Sequence, residues 1–173
     1  MDLRSQILYT HSKENTDQIV AWVGKDTERF NELMNLFLNG NSREVQLSAE
    51  AISKCILAQQ KLSNNIIGVL IDKCYNGNSH PAIRRNVMRI FQAINIPKKD
   101  AEAVMNISFD FLSDKNEAIA VRAFSMGTLL NLTKLFPELK EELKLVIEHI
   151  LEFEDCSAGI KSKGKNVLAA LGK

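Results

Sequence analysis

The segment IRRNVMRIFQAI at residues 83–94 decides the fold, because three other stretches of the chain repeat its pattern. They are VQLSAEAISKCI at 45–56, VRAFSMGTLLNL at 121–132 and IKSKGKNVLAAL at 160–171. The four segments start at intervals of 38, 38 and 39 residues. One such match can arise by chance between amphipathic helices, but a fixed period over three intervals indicates an internal repeat.

The four segments share residue types at positions that recur with a helical period. The first position is Val or Ile, and the eighth is β-branched. The second position holds a long polar side chain in every copy: Gln46, Arg84, Arg122 and Lys161. The fifth position is small or of modest size: Ala49, Val87, Ser125 and Gly164. We therefore expect each segment to form a helix, with a fifth position that lets a neighbouring helix approach closely.

The rest of the chain also has a helical period and predicts an all-α protein. We find no convincing alternation of apolar and polar residues with hairpin signals. The expected helices span residues 3–11, 15–24, 27–38, 43–60, 64–75, 81–94, 98–113, 117–135, 138–153 and 158–171. The expected N-caps are Asp26, Ser42, Ser79, Asn116 and Ser157. Short polar links between the helices favour antiparallel neighbours.

The start of the second copy, Pro81-Ala82-Ile83-Arg84 followed by Val87, resembles the first helix of a HEAT repeat. The resemblance implies an α–α superhelix, or solenoid, of about four HEAT-like antiparallel helix pairs in a single domain. Its expected parts are a degenerate N-terminal capping repeat at 1–41, repeats at 42–79, 80–115 and 116–156, and a C-terminal half-repeat at 157–173. Gln46 and Lys161 depart from the arginine of the pattern, which weakens the idea of a continuous arginine ladder.

Composition excludes several other classes of protein. With 173 residues, 45% of them hydrophobic, the chain is long enough to bury a core. The formal net charge of +1 gives no overall attraction to nucleic acid or to an anionic membrane. We expect a cytoplasmic protein, because the chain shows no secretory signal and no span long enough to cross a membrane.

The cysteines and histidines indicate no metal site and no catalytic site. Cys55, Cys74 and Cys156 form no CxxC pair, which argues against both a disulfide scaffold and a zinc site. Cys156, in an expected loop, is the most reactive candidate, although we expect it to be inert. The histidines are far apart and form no HExxH motif: His11, His80 and His149. We therefore expect no cofactor, no metal, no catalytic residue and no enzymatic activity.

The resemblance to HEAT repeats implies a binding surface on the second helix of each pair, which lines the concave side of such solenoids. The candidate binding residues on these helices are Asp72, Lys73, Asn106, Asp110, Lys144 and Glu148. The leading hypothesis is a protein–protein interaction module or scaffold that binds a partner protein or peptide there. A homo-oligomer through the C-terminal helix is also compatible, because its apolar residues lack a second helix to cover them and would meet either a partner or the preceding helix pair. These residues are Ile160, Val167 and Leu171.

Two other functions are compatible with a HEAT-like repeat. One is nucleic-acid binding, as in HEAT-like DNA glycosylases, whose support here is a basic patch. The patch comprises Arg84, Arg85, Arg89, Lys161, Lys163 and Lys165. The net charge of +1 argues against this alternative. The other is a small-molecule lyase, as in some HEAT-like families, but the sequence offers no reactive group at a defined spacing.

Overall fold

The computed structural model describes residues 1–59, 66–75 and 81–172, and the predicted N-cap Ser79 lies outside them. These residues contain helices and no strand, so the all-α prediction is confirmed for this part of the chain. The chain divides into two compact units, Met1–Asn95 and Ile96–Lys173. The division falls between the two helices of the predicted repeat 80–115. The repeat boundaries and the single domain stay predictions.

Unit 1 is organised around one long helix, α4. Its described helices are α1 (Leu3–Tyr9), α2 (Lys13–Val23), α3 (Thr27–Asn39), α4 (Ser42–Ala58), α5 (Ile67–Tyr75) and α6 (Pro81–Ala93). Helix α4 packs against α1, α2, α3 and α6, and α5 packs against α6. Val45 and Ile52 on the apolar side of α4 are fully buried, and so are Phe30 and Phe37 of α3, which packs against α4. The first repeated segment therefore lies at the centre of this unit.

Helix α8 has the same central position in unit 2. This unit contains a short 3₁₀ turn (Lys98–Asp100) and the helices α7 (Ala101–Ser113), α8 (Ile119–Leu132), α9 (Leu139–Phe153) and α10 (Ala158–Leu171). Helix α8 packs against α7, α9 and α10, which explains why its sequence is apolar on nearly all sides. The buried hydroxyl of Ser125 donates to the carbonyl of Val121 at 2.9 Å, so this polar group is satisfied within the helix.

The helix starts follow the predicted caps only in part. Asp26 and Ser157 are N-caps whose side chains accept backbone N–H groups, as predicted. The prediction of Ser42 is wrong, because Asn41 caps α4 one residue earlier and forms a capping box. The prediction of Asn116 as an N-cap is also wrong, since α8 begins at Ile119.

Glu44 joins the start of α4 to α1. Its buried carboxylate accepts a hydrogen bond from the Asn41 backbone N–H at 2.7 Å and another from Arg4 Nε. The Asn41 hydrogen bond and the Arg4 guanidinium outweigh the effect of burial and hold the pKa of Glu44 below its ordinary value of 4.5. Because its pKa is lowered by folding, this carboxylate stabilises the fold above pH 4.5, and the contribution is lost as the pH falls below that value.

We expect Glu44→Gln to lower the free energy of unfolding by about 1–2 kcal/mol near pH 7. The glutamine amide has one accepting oxygen in place of two. It can therefore keep the hydrogen bond from Asn41 or the one from Arg4, but not both. Urea unfolding followed by circular dichroism measures the loss. The difference from wild type should shrink as the pH falls from about 5 to about 3, where the wild-type carboxylate becomes protonated. Glu14→Gln on α2 is the control, and a pH-independent loss for Glu44→Gln would contradict the assignment.

Candidate functional site

In unit 2, four of the predicted binding residues lie on α7 and α9, the second helices of the predicted repeats 80–115 and 116–156; α5 is the second helix of the predicted repeat 42–79, and α3 that of the capping repeat 1–41. Asn106 and Asp110 are four residues apart on α7, so both lie on one side of that helix. Lys144 and Glu148 have the same spacing on α9. All four side chains are exposed to solvent. The structure therefore presents these residues on the outer sides of α7 and α9.

In unit 1, the other two predicted residues lie on α5. Asp72 is exposed, whereas Lys73 is half-buried. The Nζ atom of Lys73 lies 3.3 Å from Oδ1 of Asn39 at the end of α3, so this lysine joins two second helices. The six predicted residues thus form two groups, one in each unit.

Helix α9 also carries exposed apolar side chains that the sequence predictions missed. Leu145, His149 and Phe153, here called the α9 ridge, follow one another at intervals of four residues. Leu145 is 64% exposed and Phe153 is 68% exposed. The rings of His149 and Phe153 lie with their centroids 5.0 Å apart, which makes one continuous surface of the two side chains. The available signal was that Leu145 and Phe153 fall outside the apolar stripe that contains Leu143 and Ile147.

A groove runs beside the α9 ridge and reaches the end of α7. Its volume is about 370 Å³, and it is lined by Ser113, Leu145, Val146, His149, Ile150 and Glu154. Ser113 is the last residue of α7, so side chains from both second helices of unit 2 contribute to this groove. We call it the α9 groove.

The second helices of unit 2 are acidic. Together α7 and α9 contain six acidic residues and two lysines. In this setting the α9 ridge is a largely apolar strip that has Glu148 and Glu152 beside His149 and Phe153, and Lys144 beside Leu145. Such a surface favours a partner that combines apolar and basic side chains.

The second position of the repeat makes the same contact in two copies. Arg84 Nε donates to the carbonyl of Cys74 at 3.1 Å, and Arg122 Nε donates to the carbonyl of Leu112 at 2.9 Å. Each carbonyl belongs to the last turn of the preceding helix, where unpaired carbonyls and the negative end of the helix dipole favour a cation. Donors and acceptors both recur after 38 residues, so the repeat in the sequence is also a repeat of contacts.

A match to a known family covers nearly the whole chain. The family model described as the HEAT repeat domain matches residues 3–171. The chain belongs to the HEAT repeat family. The match confirms the resemblance and the all-α fold of HEAT-like helix pairs, and HEAT repeats commonly mediate protein–protein interaction. No curated protein and no solved structure matched the chain.

Arg122 is the more buried of these two HEAT-repeat arginines. Its side chain is 6% exposed, and Nη2 lies 2.8 Å from Oε2 of Glu154, which is 23% exposed. The guanidinium therefore joins α8 both to the end of α7 and to the segment that follows α9. Arg122 and Glu154 are also among the residues that line a cavity of about 490 Å³ at this end of unit 2.

Cys156 lines the same cavity of the HEAT repeat but is buried itself. Its thiol donates to the carbonyl of Ile150 at 3.2 Å. Burial and the nearby Glu154 carboxylate raise the pKa of the thiol, although Arg122 and Lys161 oppose part of this shift. Since the thiolate is the reactive form, the environment favours the inert cysteine that the sequence predicts.

The basic residues of the nucleic-acid alternative lie on two different HEAT helices. Three arginines belong to α6 in unit 1 and three lysines to α10 in unit 2: Arg84, Arg85, Arg89, Lys161, Lys163 and Lys165. Arg84 is held by a helix carbonyl, and Nη2 of Arg89 lies 4.0 Å from Oε2 of Glu50. Lys163 is half-buried, and burial lowers its pKa. The nucleic-acid alternative stays a prediction.

The last HEAT helix, α10, has its apolar side covered within unit 2. Ile160 and Val167 are each 2% exposed, and Leu171 is half-buried, because α10 packs against α8 and α9. Exposed residues on the helix include Lys161 and Lys165. Of the two expected outcomes, the apolar side of α10 therefore meets the preceding helix pair, and the oligomeric state stays a prediction.

Two further observations bear on the class of site. Within residues 1–59, 66–75 and 81–172, no group of three or more His, Cys, Asp and Glu side chains is placed to hold a metal ion. In the same part of this HEAT repeat chain, no helix is long and apolar enough to cross a membrane. His80 lies outside the described residues. The absence of a cofactor and of catalytic residues stays a prediction.

Proposed function

We propose that the chain is a protein-interaction module that binds a segment of a partner protein on the exposed sides of its second helices. The observation that carries the proposal is the acidic surface of α7 and α9 with the apolar α9 ridge within it. An exposed apolar strip at the surface of a folded unit typically marks a contact with another molecule. The family supports the proposal, because stacked helical repeats commonly present such surfaces to proteins.

Charge reversal on these helices tests the proposal. The variant Asp110→Lys/Glu148→Lys changes exposed residues of unit 2, and Asp72→Lys changes the corresponding helix of unit 1. The full chain is immobilised and exposed to nuclease-treated native lysate, and retained proteins are quantified by mass spectrometry. We expect a discrete protein on the wild type and about tenfold less of it on the unit 2 variant. Basic side chains of the partner, which the native carboxylates attract, would be repelled by the introduced lysines.

The control variant Glu14→Lys/Asp155→Lys changes the charge by the same amount on exposed residues outside the second helices. It should retain the partner at the wild-type level. Equal retention by the wild type and by all charge-reversed variants would contradict binding on these helices. Retention of nucleic acid that is lost at high salt, without a retained protein, would favour the nucleic-acid alternative instead.

A further inference from the structure

Carboxylates border the α9 ridge at His149 and Phe153, whereas an exposed lysine, Lys144, directly precedes Leu145. Glu141 lies four residues before Leu145 and so continues the line of the ridge, while Glu148 and Glu152 directly precede His149 and Phe153. All three glutamates are exposed to solvent. A partner that covers Leu145 and Phe153 would bring its own side chains within reach of these carboxylates. Lysine and arginine at the edges of the partner's apolar strip would match them in charge.

The α9 ridge fits a helix better than an extended segment. The backbone groups of α9 are already paired within the helix, and no strand edge occurs in the described part of the chain. An extended segment would therefore gain no backbone hydrogen bonds by strand addition. A helix satisfies its own backbone, and side chains spaced four residues apart form ridges that pack into the grooves of a second helix. The ridge, about 12 Å long, corresponds to roughly two turns of such a partner.

The α9 groove gives this partner a place for one anchoring side chain. Its volume of about 370 Å³ is at the small end of the range for binding cavities. Val146 and Ile150 supply apolar parts of its lining, and Glu154 and Ser113 supply polar groups. An aliphatic or aromatic side chain in the groove would lie beside the exposed faces of Leu145 and His149.

We propose that the α9 ridge and the α9 groove bind a basic amphipathic helix of a partner protein. One apolar side chain of that helix occupies the groove, and its lysine or arginine residues face Glu141, Glu148 and Glu152. This inference rests on the proposed function, because it specifies the partner for one part of the second-helix surface.

Selection from a displayed library of random 18-residue peptides, with the full chain as the target, tests this inference. Enriched peptides are synthesised, and their affinities are measured by fluorescence anisotropy. We expect the peptides to carry apolar residues at helical spacing and a net positive charge. The variant Leu145→Ser/Phe153→Ser should bind them about 30-fold more weakly or worse, because it removes the two exposed apolar anchors.

Two matched controls keep the result specific to the ridge. Leu135→Ser and Tyr9→Ser remove other apolar side chains, which are 48% and 81% exposed, and should leave the affinity within about twofold. Circular dichroism checks that each variant is folded. Acidic peptides, peptides without a helical period, or binding that is unaffected by Leu145→Ser/Phe153→Ser would overturn the inference, and so would the absence of any enrichment.

The result also separates this inference from the proposed function. If the lysate partner is lost on Asp110→Lys/Glu148→Lys but retained on Leu145→Ser/Phe153→Ser, the second helices bind a partner without the α9 ridge. The basic-helix inference then fails while the proposed function stands. Loss of the same partner on both variants supports the inference, and a partner insensitive to both contradicts the two proposals together.

Discussion

Arg122→Ala is expected to lower the free energy of unfolding by about 3 kcal/mol. The substitution removes the hydrogen bond to the Leu112 carbonyl and leaves the half-buried carboxylate of Glu154 without its cation. Removing one partner of a mostly buried ion pair is costly, because the remaining charge is partly shielded from water and has lost its counterion. Urea unfolding followed by circular dichroism near neutral pH measures the loss.

Two comparisons identify the cause of this loss. Arg84 is half-buried and donates the equivalent hydrogen bond to the carbonyl of Cys74. We expect Arg84→Ala to lower the free energy of unfolding by only about 1 kcal/mol. The double variant Arg122→Ala/Glu154→Ala should be less destabilised than the sum of its single variants, since no unpaired carboxylate remains. Equal losses for Arg84→Ala and Arg122→Ala, together with additive single effects, would show that the ion pair does not contribute.

Gly164→Leu is expected to cost about 3 kcal/mol, because it overfills the contact between α10 and α9. A Cβ atom at Gly164 would lie 3.1 Å from Cγ2 of Ile147 and 3.3 Å from both Cδ atoms of Leu151. The three further carbons of leucine have no space there without a shift of one helix. Thermal and urea unfolding measure the effect.

Gly68→Leu is the matched control for this substitution. Gly68 is also a helical glycine, but a Cβ atom there would have no neighbour within 4 Å among the described residues. We expect this variant to be as stable as the wild type or more stable by up to about 1 kcal/mol, because glycine is a poor helix former. A Gly164→Leu protein with wild-type stability would contradict the close packing of α10 on α9.

The helices could be predicted from the sequence because their signal is local. Apolar residues at helical spacing mark which side of each helix is buried, and the predicted ranges lie close to the observed helices of the described residues. The first residue of a helix is harder to predict from sequence, since neighbouring residues can compete for the N-cap position. Asn41 caps α4 in preference to Ser42 because its side chain accepts the N–H groups and Glu44 closes the capping box from the other side.

The candidate site could be predicted only in part, because exposure depends on contacts between helices. The polar residues Asn106, Asp110 and Glu148 were expected on the second helices and are exposed there. Leu145 and Phe153 fall outside the apolar stripe of α9, but the sequence alone does not show whether another helix covers them. The ion pair of Arg122 with Glu154 could not be predicted either, because the two residues are 32 positions apart and meet only when α9 packs on α8.

The arginine–carbonyl contacts have a consequence for how the chain folds. Ten residues separate donor from acceptor in both cases, Arg84 from Cys74 and Arg122 from Leu112. Closing a loop of this length takes only about 10–100 ns and costs little chain entropy. Each contact can therefore form as soon as its two helix ends exist, before distant parts of the chain have met. The geometry of successive helices is thus specified by short-range encounters, which is typical of proteins that fold rapidly.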